Sequence, residues 1–269
     1  MLFYLGAPLF HKQQNMSTTT KIALVTGGSR GLGKDMAISL AEKGIDVMLT
    51  YVNNKEAADD TVKAIEALGR KAVALHLDMA DIKSLDPFVQ QVAATLQSKW
   101  NTSAFDFLIN NAGIGGGVPF DKVTEDMFDE FLNVHFKGVY FLTQKSLPYI
   151  NDGGRIINIS TGTTRFTNPG YSVYASMKGA VEVLTKYLAR ELGPRGITVN
   201  IIAPGPIETD FNNATIRNNP QMKERLSALS PLNRVGAAED IGPVVAFMCT
   251  ADAAWINGQR IEVSGGINV

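Results

Sequence analysis

From Lys21 onward, short apolar runs alternate with longer segments in which apolar positions follow a helical period. Most of the runs are apolar on both faces, which indicates strands of a parallel sheet covered by helices on each side. The runs are KIALVT, IDVMLTY, KAVALHL, FDFLIN, RIINIS, ITVNIIA and QRIEV. Helices are predicted near residues 31–43, 55–68, 82–98, 124–149, 171–193 and 238–249. The order predicts an α/β fold, with one doubly wound parallel sheet of about seven strands and helices on both faces.

The alternation breaks once, in the polar, Pro- and Asn-rich segment 205–235 between the sixth and seventh strands. Open parallel sheets bind ligands beyond the carboxyl ends of their strands, so we interpret this segment as a substrate lobe. Residues 21–269 are predicted to be one dinucleotide-binding catalytic domain. Residues 1–20 are predicted to be an N-terminal extension outside the fold, because Met16 lies just before the first strand-like run.

Charge and cysteine content narrow the possible partners. The net charge is −1 and the charged residues are spread out, which argues against nucleic acid and membrane as partners. The single cysteine, Cys249, excludes an internal disulfide and suits a reducing compartment such as the cytoplasm. The three histidines, His11, His76 and His135, show no metal-ligand spacing, so no metal site is expected.

The first strand runs into TGGSRGLG, Thr26 to Gly33, which is followed at once by a helix. Glycine is needed in such a turn because the backbone must approach a pyrophosphate at the helix N-terminus. Its position between the first strand and the first helix predicts a dinucleotide site. The residues predicted to contact the cofactor here are Gly27, Ser29, Arg30, Gly31, Leu32 and Gly33.

The stretch YSVYASMK contains Tyr171, Tyr174 and Lys178. Residues four apart lie on one face of a helix, so Tyr174 and Lys178 are predicted neighbours and Tyr171 is not paired with Lys178 in this way. By itself such a spacing also arises in helices whose aromatic residues only pack.

Several further motifs follow in order: NNAG at 110–113, Asn133 within FLNVHFKG, PGPIET at 204–209, and the C-terminal PLNRVGAAEDI and NGQRIEVSGG. Together with the glycine turn and the Tyr-Lys pair, they make residues 21–269 resemble the short-chain dehydrogenase/reductase family, in particular 3-oxoacyl-acyl-carrier-protein reductase-like members. The resemblance implies a Rossmann fold with Tyr174 as the catalytic tyrosine, while Tyr171 lines the pocket or packs. It also implies that Lys178 holds the nicotinamide ribose and that Asn133 supports a water-mediated proton path.

The resemblance extends the predicted cofactor site to other strand ends. Asp78 resembles the family's adenine-contacting aspartate, although a plain helix N-cap is the alternative. The further predicted cofactor contacts are Tyr51, Asn53, Met79, Asn111, Ala112, Gly113, Tyr174, Lys178, Pro204, Gly205, Ile207 and Thr209.

The chain departs from the family at the catalytic serine, which usually lies thirteen residues before the tyrosine. That count reaches Thr161, and Ser160 precedes it in NISTG. Successive residues of a strand point to opposite faces, so both hydroxyls cannot face the substrate while the strand persists. Thr161 donates the same hydrogen bond as a serine and is favoured over Ser160.

The end of the second strand bears on the choice of cofactor. An acidic residue there would accept a hydrogen bond from the ribose 2′-hydroxyl and repel a 2′-phosphate. The sequence LTYVNNK has no carboxylate before Glu56, while Arg30 stands in the glycine turn. Because a guanidinium suits a phosphate dianion, NADP(H) is predicted over NAD(H).

The predicted activity is hydride transfer between the nicotinamide and a carbonyl or secondary alcohol of a small molecule. Two alternatives are a 3-oxoacyl-carrier-protein reductase and a non-catalytic dinucleotide sensor. Arg195 suits the docking of an acidic carrier, but Asp152 stands where such reductases commonly have a base.

The segments around residues 125–150 and 170–193 are apolar over much of their circumference. Surplus apolar surface and the family resemblance together predict a homotetramer, with a dimer as the fallback. Alternatively, both helices are covered within one subunit, with Phe136, Tyr140 and Leu184 in its core.

Overall fold

The predicted strands form one parallel sheet. A computed structural model describes residues 20–268, so the predicted extension lies, apart from Thr20, outside the described residues. The strands are β1 (Ile22–Val25), β2 (Asp46–Tyr51), β3 (Ala72–His76), β4 (Phe105–Asn110), β5 (Ile150–Ile159), β6 (Thr198–Pro204) and β7 (Arg260–Val263). Their order in the sheet is β3-β2-β1-β4-β5-β6-β7, and every neighbouring pair is parallel. The predicted α/β fold class is confirmed.

Helices pack on both faces of the sheet. They are α1 (Gly31–Glu42), α2 (Lys55–Ala67), α3 (Leu85–Thr95), α4 (Glu125–Leu132), α5 (Gly138–Ser146), α6 (Ser172–Glu191), α7 (Phe211–Asn218), α8 (Pro220–Ala228) and α9 (Gly242–Met248). One core lies between the sheet and α3, α5 and α6, and a second lies between the sheet and α1, α2 and α9.

Alternation along each strand divides its side chains between the two cores. In β4, Leu108 belongs to the first core, while Phe107 and Ile109 on either side of it belong to the second. All six residues of β4 are buried. Burying a large apolar side chain contributes roughly 1.5–3 kcal/mol. A strand covered on both faces therefore favours a continuous apolar run, which is the pattern in the sequence.

The helix predicted over 124–149 is interrupted. Thr124 caps α4 by accepting a hydrogen bond from the Met127 N–H at 3.2 Å. A π-helical turn, Asn133–Lys137, then separates α4 from α5, and the Gly138 N–H donates to the carbonyl of Asn133. Such a turn contains one residue more than an α-helical turn and changes which side chains share a face.

The segment 205–235 contains α7 and α8, which the sequence pattern did not predict. Asn212, Asn213 and Ala214 have left-handed backbone angles, with φ between 54° and 57°. Asparagine adopts this conformation more readily than alanine, whose Cβ is crowded there. The start of α7 is therefore irregular, and this irregular stretch faces the site described next.

Candidate active site

The glycine-rich turn joins β1 to α1 at the carboxyl edge of the sheet. Gly27 and Gly31 have φ of +67° and +54°, a region that favours glycine. A Cβ on Gly33 would lie 2.1 Å from the Gly27 carbonyl oxygen, so no larger residue fits. The N–H groups of Gly27 and Gly28 donate to the Thr50 hydroxyl and carbonyl, at 3.0 and 2.9 Å. These bonds hold the turn against the end of β2.

The two asparagines of the NNAG motif have different hydrogen-bond partners. Asn111 donates through its side-chain amide to the carbonyls of Thr26 and Gly27, at 2.9 and 3.2 Å. Asn110 is buried in the sheet and donates to Thr143 and Asn158, at 3.0 and 2.8 Å. The predicted cofactor residue Asn111 therefore shapes the turn through its side chain, and Asn110 joins β4 to β5.

The N-terminus of α1 is suited to a phosphate group. Arg30 occupies its N-cap position without a side-chain cap, and the first turn contains no acidic residue. Free N–H groups and the helix dipole at such an end favour an anion. A Cβ on Gly31 would lie 3.6 Å from Thr209 Cβ, so the loop after β6 reaches the same turn. The residues present fit a dinucleotide pyrophosphate.

The adenosine side of this cleft lacks an acidic residue at the end of β2. Arg30 and Asn53 are exposed, and Tyr51 is half-buried. Asn54 caps α2 by accepting from the Ala57 N–H at 2.9 Å, and the first carboxylate is Glu56 within α2.

Asp78 follows β3, and its carboxylate accepts a hydrogen bond from the Ala80 N–H at 2.8 Å. Asp78 thus caps a local turn, whereas the helix N-cap given above as the alternative is Asp81, which accepts from the Lys83 N–H at 3.1 Å. The adenine contact of Asp78 stays a prediction. Met79 is buried, and a Cβ on Gly138 would lie 2.8 Å from its carbonyl oxygen.

The structure brings Tyr174 and Lys178 together on α6. The Lys178 ammonium lies 5.8 Å from the centroid of the Tyr174 ring and donates to the Ile159 carbonyl at 2.7 Å. Lys178 is 4% exposed. The ammonium is thus fixed between the end of β5 and the tyrosine.

The two candidate hydroxyls at the end of β5 point in different directions. Ser160 donates to the Glu182 carboxylate at 2.6 Å and is buried. The Thr161 hydroxyl instead lies close enough to Tyr174 to act against the rise in the pKa of its phenol, and it accepts from the N–H and the hydroxyl of Thr163, both at 3.3 Å. Thr161 is therefore the hydroxyl that lies beside the tyrosine, as the strand alternation predicts.

Ser160 belongs to a hydrogen-bonded network that the sequence did not reveal. The same Glu182 oxygen accepts from Thr164 at 2.8 Å and from Arg260 at 2.8 Å. Arg260 also donates to the Thr161 carbonyl at 3.0 Å. Glu182 on α6 and Arg260 on β7 therefore fix the loop that contains Thr161. No local sequence pattern connects these two elements with that loop.

Burial dominates the ionisation of the Tyr-Lys pair. It raises the pKa of Tyr174 to about 12, although the hydrogen bond with Thr161 acts in the opposite direction. It lowers the pKa of Lys178 to about 8. A nearby ammonium favours a phenolate, but in this structure desolvation of the Tyr174 phenolate outweighs that attraction. Tyr174 is therefore a protonated phenol at neutral pH, which is the form that donates a proton.

Asn133 stands at the start of the π-helical turn, and its predicted role in a proton path stays a prediction. Its side chain makes no hydrogen bond to another residue in the range 20–268, and its carbonyl closes the π-helical turn. His135, two residues later, is fully buried with its ring centroid 5.1 Å from that of Tyr174. The sequence signal that could have indicated His135 is a lone polar residue in an apolar helical stretch, which requires a partner when buried.

An apolar pocket opens beside Tyr174. It is lined by Val118, Val123, Met127, Phe131 and Val173, together with glycines 116 and 170. The rings of Tyr171 and Phe211 lie 6.3 and 6.4 Å from the Tyr174 ring. Tyr171 thus packs at the site, and Asn212 donates to its hydroxyl at 3.3 Å. The segment 205–235 therefore reaches the catalytic residues.

The other predicted residues lie at the same edge of the sheet. Pro204 ends β6, the Gly205 N–H donates to Val263, and Ile207 forms a parallel bridge with Gly236. Gly113 lies against the His135 ring, since a Cβ there would be 2.9 Å from Cε1. Among the described residues, no group of three or more His, Cys, Asp or Glu side chains could hold a metal ion. Nor is any helix within that range long and apolar enough to cross a membrane.

Known proteins match this chain over most of its length. The family model described as enoyl-(acyl carrier protein) reductase matches residues 27–268. The chain is 38% identical over 250 residues to a 3-oxoacyl-[acyl-carrier-protein] reductase FabG of Staphylococcus aureus, covering 92% of this chain and 98% of the relative.

Two further similar proteins are named as reductases of a hydroxynaphthalene and of an angucycline. The hydroxynaphthalene reductase arp2 of Aspergillus fumigatus is 33% identical over 249 residues, 89% of each chain. The crystal structure of the angucycline C-6 ketoreductase LanV with bound NADP superimposes with a TM-score of 0.88 at 36% identity, covering 92% of this chain and 96% of that one. The fold, the glycine turn and the matches over nearly the whole chain lead to one conclusion: this protein is a member of the short-chain dehydrogenase/reductase family and an oxidoreductase.

Proposed function

We propose that this protein is an NADP(H)-dependent reductase that transfers a hydride between the nicotinamide and a carbonyl or secondary alcohol of a small, apolar molecule. The observation that carries the proposal is the cluster of Tyr174, Lys178 and Thr161 beside the glycine turn. Bound NADPH would supply the hydride, held by the glycine turn, the strand ends and Lys178.

The side chains of the protein supply the proton for the substrate oxygen and orient that oxygen for the reaction. Thr161 donates a hydrogen bond to the substrate oxygen and places it next to the phenol of Tyr174. As negative charge develops on that oxygen, the phenol proton moves from Tyr174 Oη to it and an alcohol forms. Lys178 stabilises the resulting phenolate, whose charge would otherwise be costly in apolar surroundings.

Arg30 and the neutral end of β2 support NADP(H) over NAD(H). The guanidinium is exposed at the N-cap of α1, next to a strand end that bears no carboxylate. A 2′-phosphate bound there would accept hydrogen bonds from the Arg30 guanidinium, and no carboxylate would repel it. The bound NADP in the structure of LanV agrees with this proposal.

The lining of the pocket favours an apolar substrate with flat faces, although the cavity of about 10 Å³ has to widen before a ring can enter. Its walls carry no charged side chain, and Phe131, Tyr171 and Phe211 surround the Tyr174 ring at 6.3–6.5 Å. Aromatic rings favour stacked or edge-on partners, in addition to their apolar burial. Both relatives named for aromatic compounds are consistent with a ring-bearing ketone.

The second candidate, reduction of a carrier-bound 3-oxoacyl chain, is favoured by the 38% identity to the Staphylococcus aureus enzyme. Against it stands the charge of the predicted docking surface. Arg195 pairs with Asp152 at 2.7 Å, so the base available to an acidic carrier is already neutralised. Charge complementarity between the two surfaces sets the encounter rate with such a partner, and this surface offers an acidic carrier little charge complementarity.

Assembly as a homotetramer, or else a dimer, remains part of the proposal. Tyr140 on α5 and Val183 and Tyr187 on α6 are 40%, 54% and 64% exposed. These side chains project from the two helices that carry the catalytic face, so pairing there would stiffen it. Light scattering at micromolar concentration should give a multimer, and an active monomer would contradict this proposal.

The single free cysteine, buried Cys249, suits a cytoplasmic protein.

The proposed function is tested by following NADPH oxidation with a panel of cyclic aromatic ketones, quinones and a 3-oxoacyl thioester. Aromatic ketones should be reduced faster than the thioester, and Tyr174→Phe should lower turnover by about 10²–10⁴ with NADPH binding nearly unchanged. Tyr171→Phe is the matched control, because it removes a hydroxyl from the neighbouring ring. Measurable NADPH binding without turnover on any compound would favour the sensor instead.

A further inference from the structure

His135 is the aromatic side chain packed most closely against the catalytic tyrosine. Their rings meet edge to face at 87°, with centroids 5.1 Å apart. Phe131 lies on another side of the imidazole at 5.5 Å. His135 stands within the π-helical turn Asn133–Lys137, and such turns occur frequently at functional sites.

The hydrogen bonds of His135 define its tautomer. Nε2 lies 2.9 Å from the Ile114 carbonyl oxygen, a contact that requires the proton on Nε2. The contact of the same nitrogen with the Ile114 N–H is longer, at 3.4 Å. Nδ1 is therefore an acceptor, and it is buried without a partner among residues 20–268. The bond to Ile114 ties the π-helical turn to the loop that follows β4.

His135 is uncharged at the pH at which enzymes work. Burial, and then the Lys178 ammonium, lower its pKa to about 3. A neutral imidazole of this kind cannot store a proton as a cation, but its Nδ1 offers a lone pair in a fixed direction. A cationic imidazole here would oppose Lys178, so the neutral form is the one compatible with the site.

We propose that His135 is the positioning residue of the proton-transfer step, with Nε2–H fixing the loop at Ile114 and Nδ1 ordering the donors that reprotonate Tyr174. This inference rests on the proposed function. After reduction, Tyr174 has given its proton to the product alcohol, and the phenolate must take one back from bulk water through hydrogen-bonded water molecules on the Lys178 side. An acceptor held in place beside the tyrosine aligns those donors, and the proton itself ends on Tyr174 Oη.

The same geometry excludes Asn133 from this position. Residues two apart on a helix project in nearly opposite directions, so only one of them can face Tyr174. His135 faces the tyrosine, and Asn133 accepts a hydrogen bond from the first residue of α5 through its backbone carbonyl. We therefore assign the ordering of these donors to His135, and the water-mediated path predicted for Asn133 stays a prediction.

Two variants of His135 separate positioning from packing. His135→Leu puts an apolar side chain of similar size in place of the imidazole and removes both nitrogens, so kcat should fall on the order of 10²-fold while KM for NADPH changes less than about twofold. The solvent deuterium isotope effect on kcat should rise, because proton recovery becomes slower. His135→Asn restores an N–H for Ile114 and an acceptor, and kcat should return to within about threefold of wild type. Asn133→Leu is the matched comparison on the same turn and should lose less than His135→Leu.

The inference is overturned if His135→Leu keeps kcat within about threefold of wild type, or if Asn133→Leu loses more. It is also overturned if His135→Asn binds NADPH but restores nothing. Should the leucine variant not fold, His135→Ala with added imidazole replaces it: recovery of kcat supports the inference and no recovery overturns it. Tyr174→Phe in the same assay separates the two proposals. If it remains active the proposed function fails, whereas an inactive Tyr174→Phe beside an active His135→Leu defeats only the role of His135.

Discussion

Replacing Lys178 with methionine should stabilise the protein and inactivate it. The ammonium is 4% exposed, and its burial lowers the pKa from 10.5 to about 8. Since one pKa unit corresponds to about 1.36 kcal/mol, keeping this charge buried costs roughly 3 kcal/mol of unfolding free energy. Methionine has a similar length and no charge, but it leaves the Ile159 carbonyl without its 2.7 Å hydrogen bond. A buried carbonyl left unpaired costs about 1–3 kcal/mol, so the net gain is at most about 2 kcal/mol at neutral pH.

The stabilisation expected from Lys178→Met depends on pH, because it depends on whether Lys178 is charged. Because the pKa of Lys178 is lower in the folded protein than in the unfolded chain, the folded protein binds fewer protons between pH 8 and 10.5. Its unfolding free energy therefore rises with pH in that window. Below pH 8 the full cost of the buried charge is present, and by pH 10.5 the cost has gone. The advantage of Lys178→Met should thus be largest at pH 7 and disappear near pH 10.

Thermal unfolding followed by circular dichroism checks both points. For a chain of this size, the upper limit of about 2 kcal/mol corresponds to a rise in Tm of roughly 4–8 °C at pH 7. NADPH-dependent turnover of the same variant should be lost, since Lys178 supports the phenolate of Tyr174. Lys186→Met is the matched control, because Lys186 is exposed on the same helix and should change neither Tm nor turnover. A Tm below wild type at pH 7, or an equal difference at pH 7 and pH 10, would refute the reasoning.

Two further changes probe cofactor choice and the hydroxyl at the end of β5. Arg30→Ala should raise KM for NADPH about tenfold and leave KM for NADH nearly unchanged, because it removes only the guanidinium that faces a 2′-phosphate; equal weakening of both would mean that Arg30 shapes the turn. Thr161→Val should lower kcat on the order of 10²-fold. Ser160→Ala should keep kcat within about threefold but lower the unfolding free energy by about 1 kcal/mol, because only the bond to Glu182 is lost. The reverse ranking in kinetics and urea melts would make Ser160 the working hydroxyl.

The sheet could be predicted because its strands are buried on both faces and leave continuous apolar runs in the sequence. The run at 105–110 coincides with β4, and six other runs overlap their strands. The start of β5 was not predicted, since it includes the polar residues 151–154. Helices α7 and α8 were not predicted either, because mostly exposed helices need no apolar stripe.

The positions of site residues could be predicted where the residues belong to one helix or one strand, because that element fixes how their side chains are spaced. Tyr174 and Lys178 share a regular helix, and the alternation of a strand separates Thr161 from Ser160. Cross-element contacts were not predictable in this way. The bonds from Glu182 and Arg260 to the Thr161 loop depend on sheet order, which brings residues 78 positions apart into contact.

His135 shows how a local irregularity hides which side chain packs against Tyr174. A regular helix over 124–149 would have 3.6 residues per turn, whereas the π-helical turn at Asn133–Lys137 contains an additional residue and changes the direction of the side chains that follow. The side chain that faces Tyr174 is therefore set by where the turn occurs. Gly138 follows the turn, and a Cβ there would lie 2.8 Å from the Met79 carbonyl oxygen, so α5 can approach the segment after β3 this closely only with glycine at its start. A turn that no local sequence pattern marks thus places His135 against Tyr174.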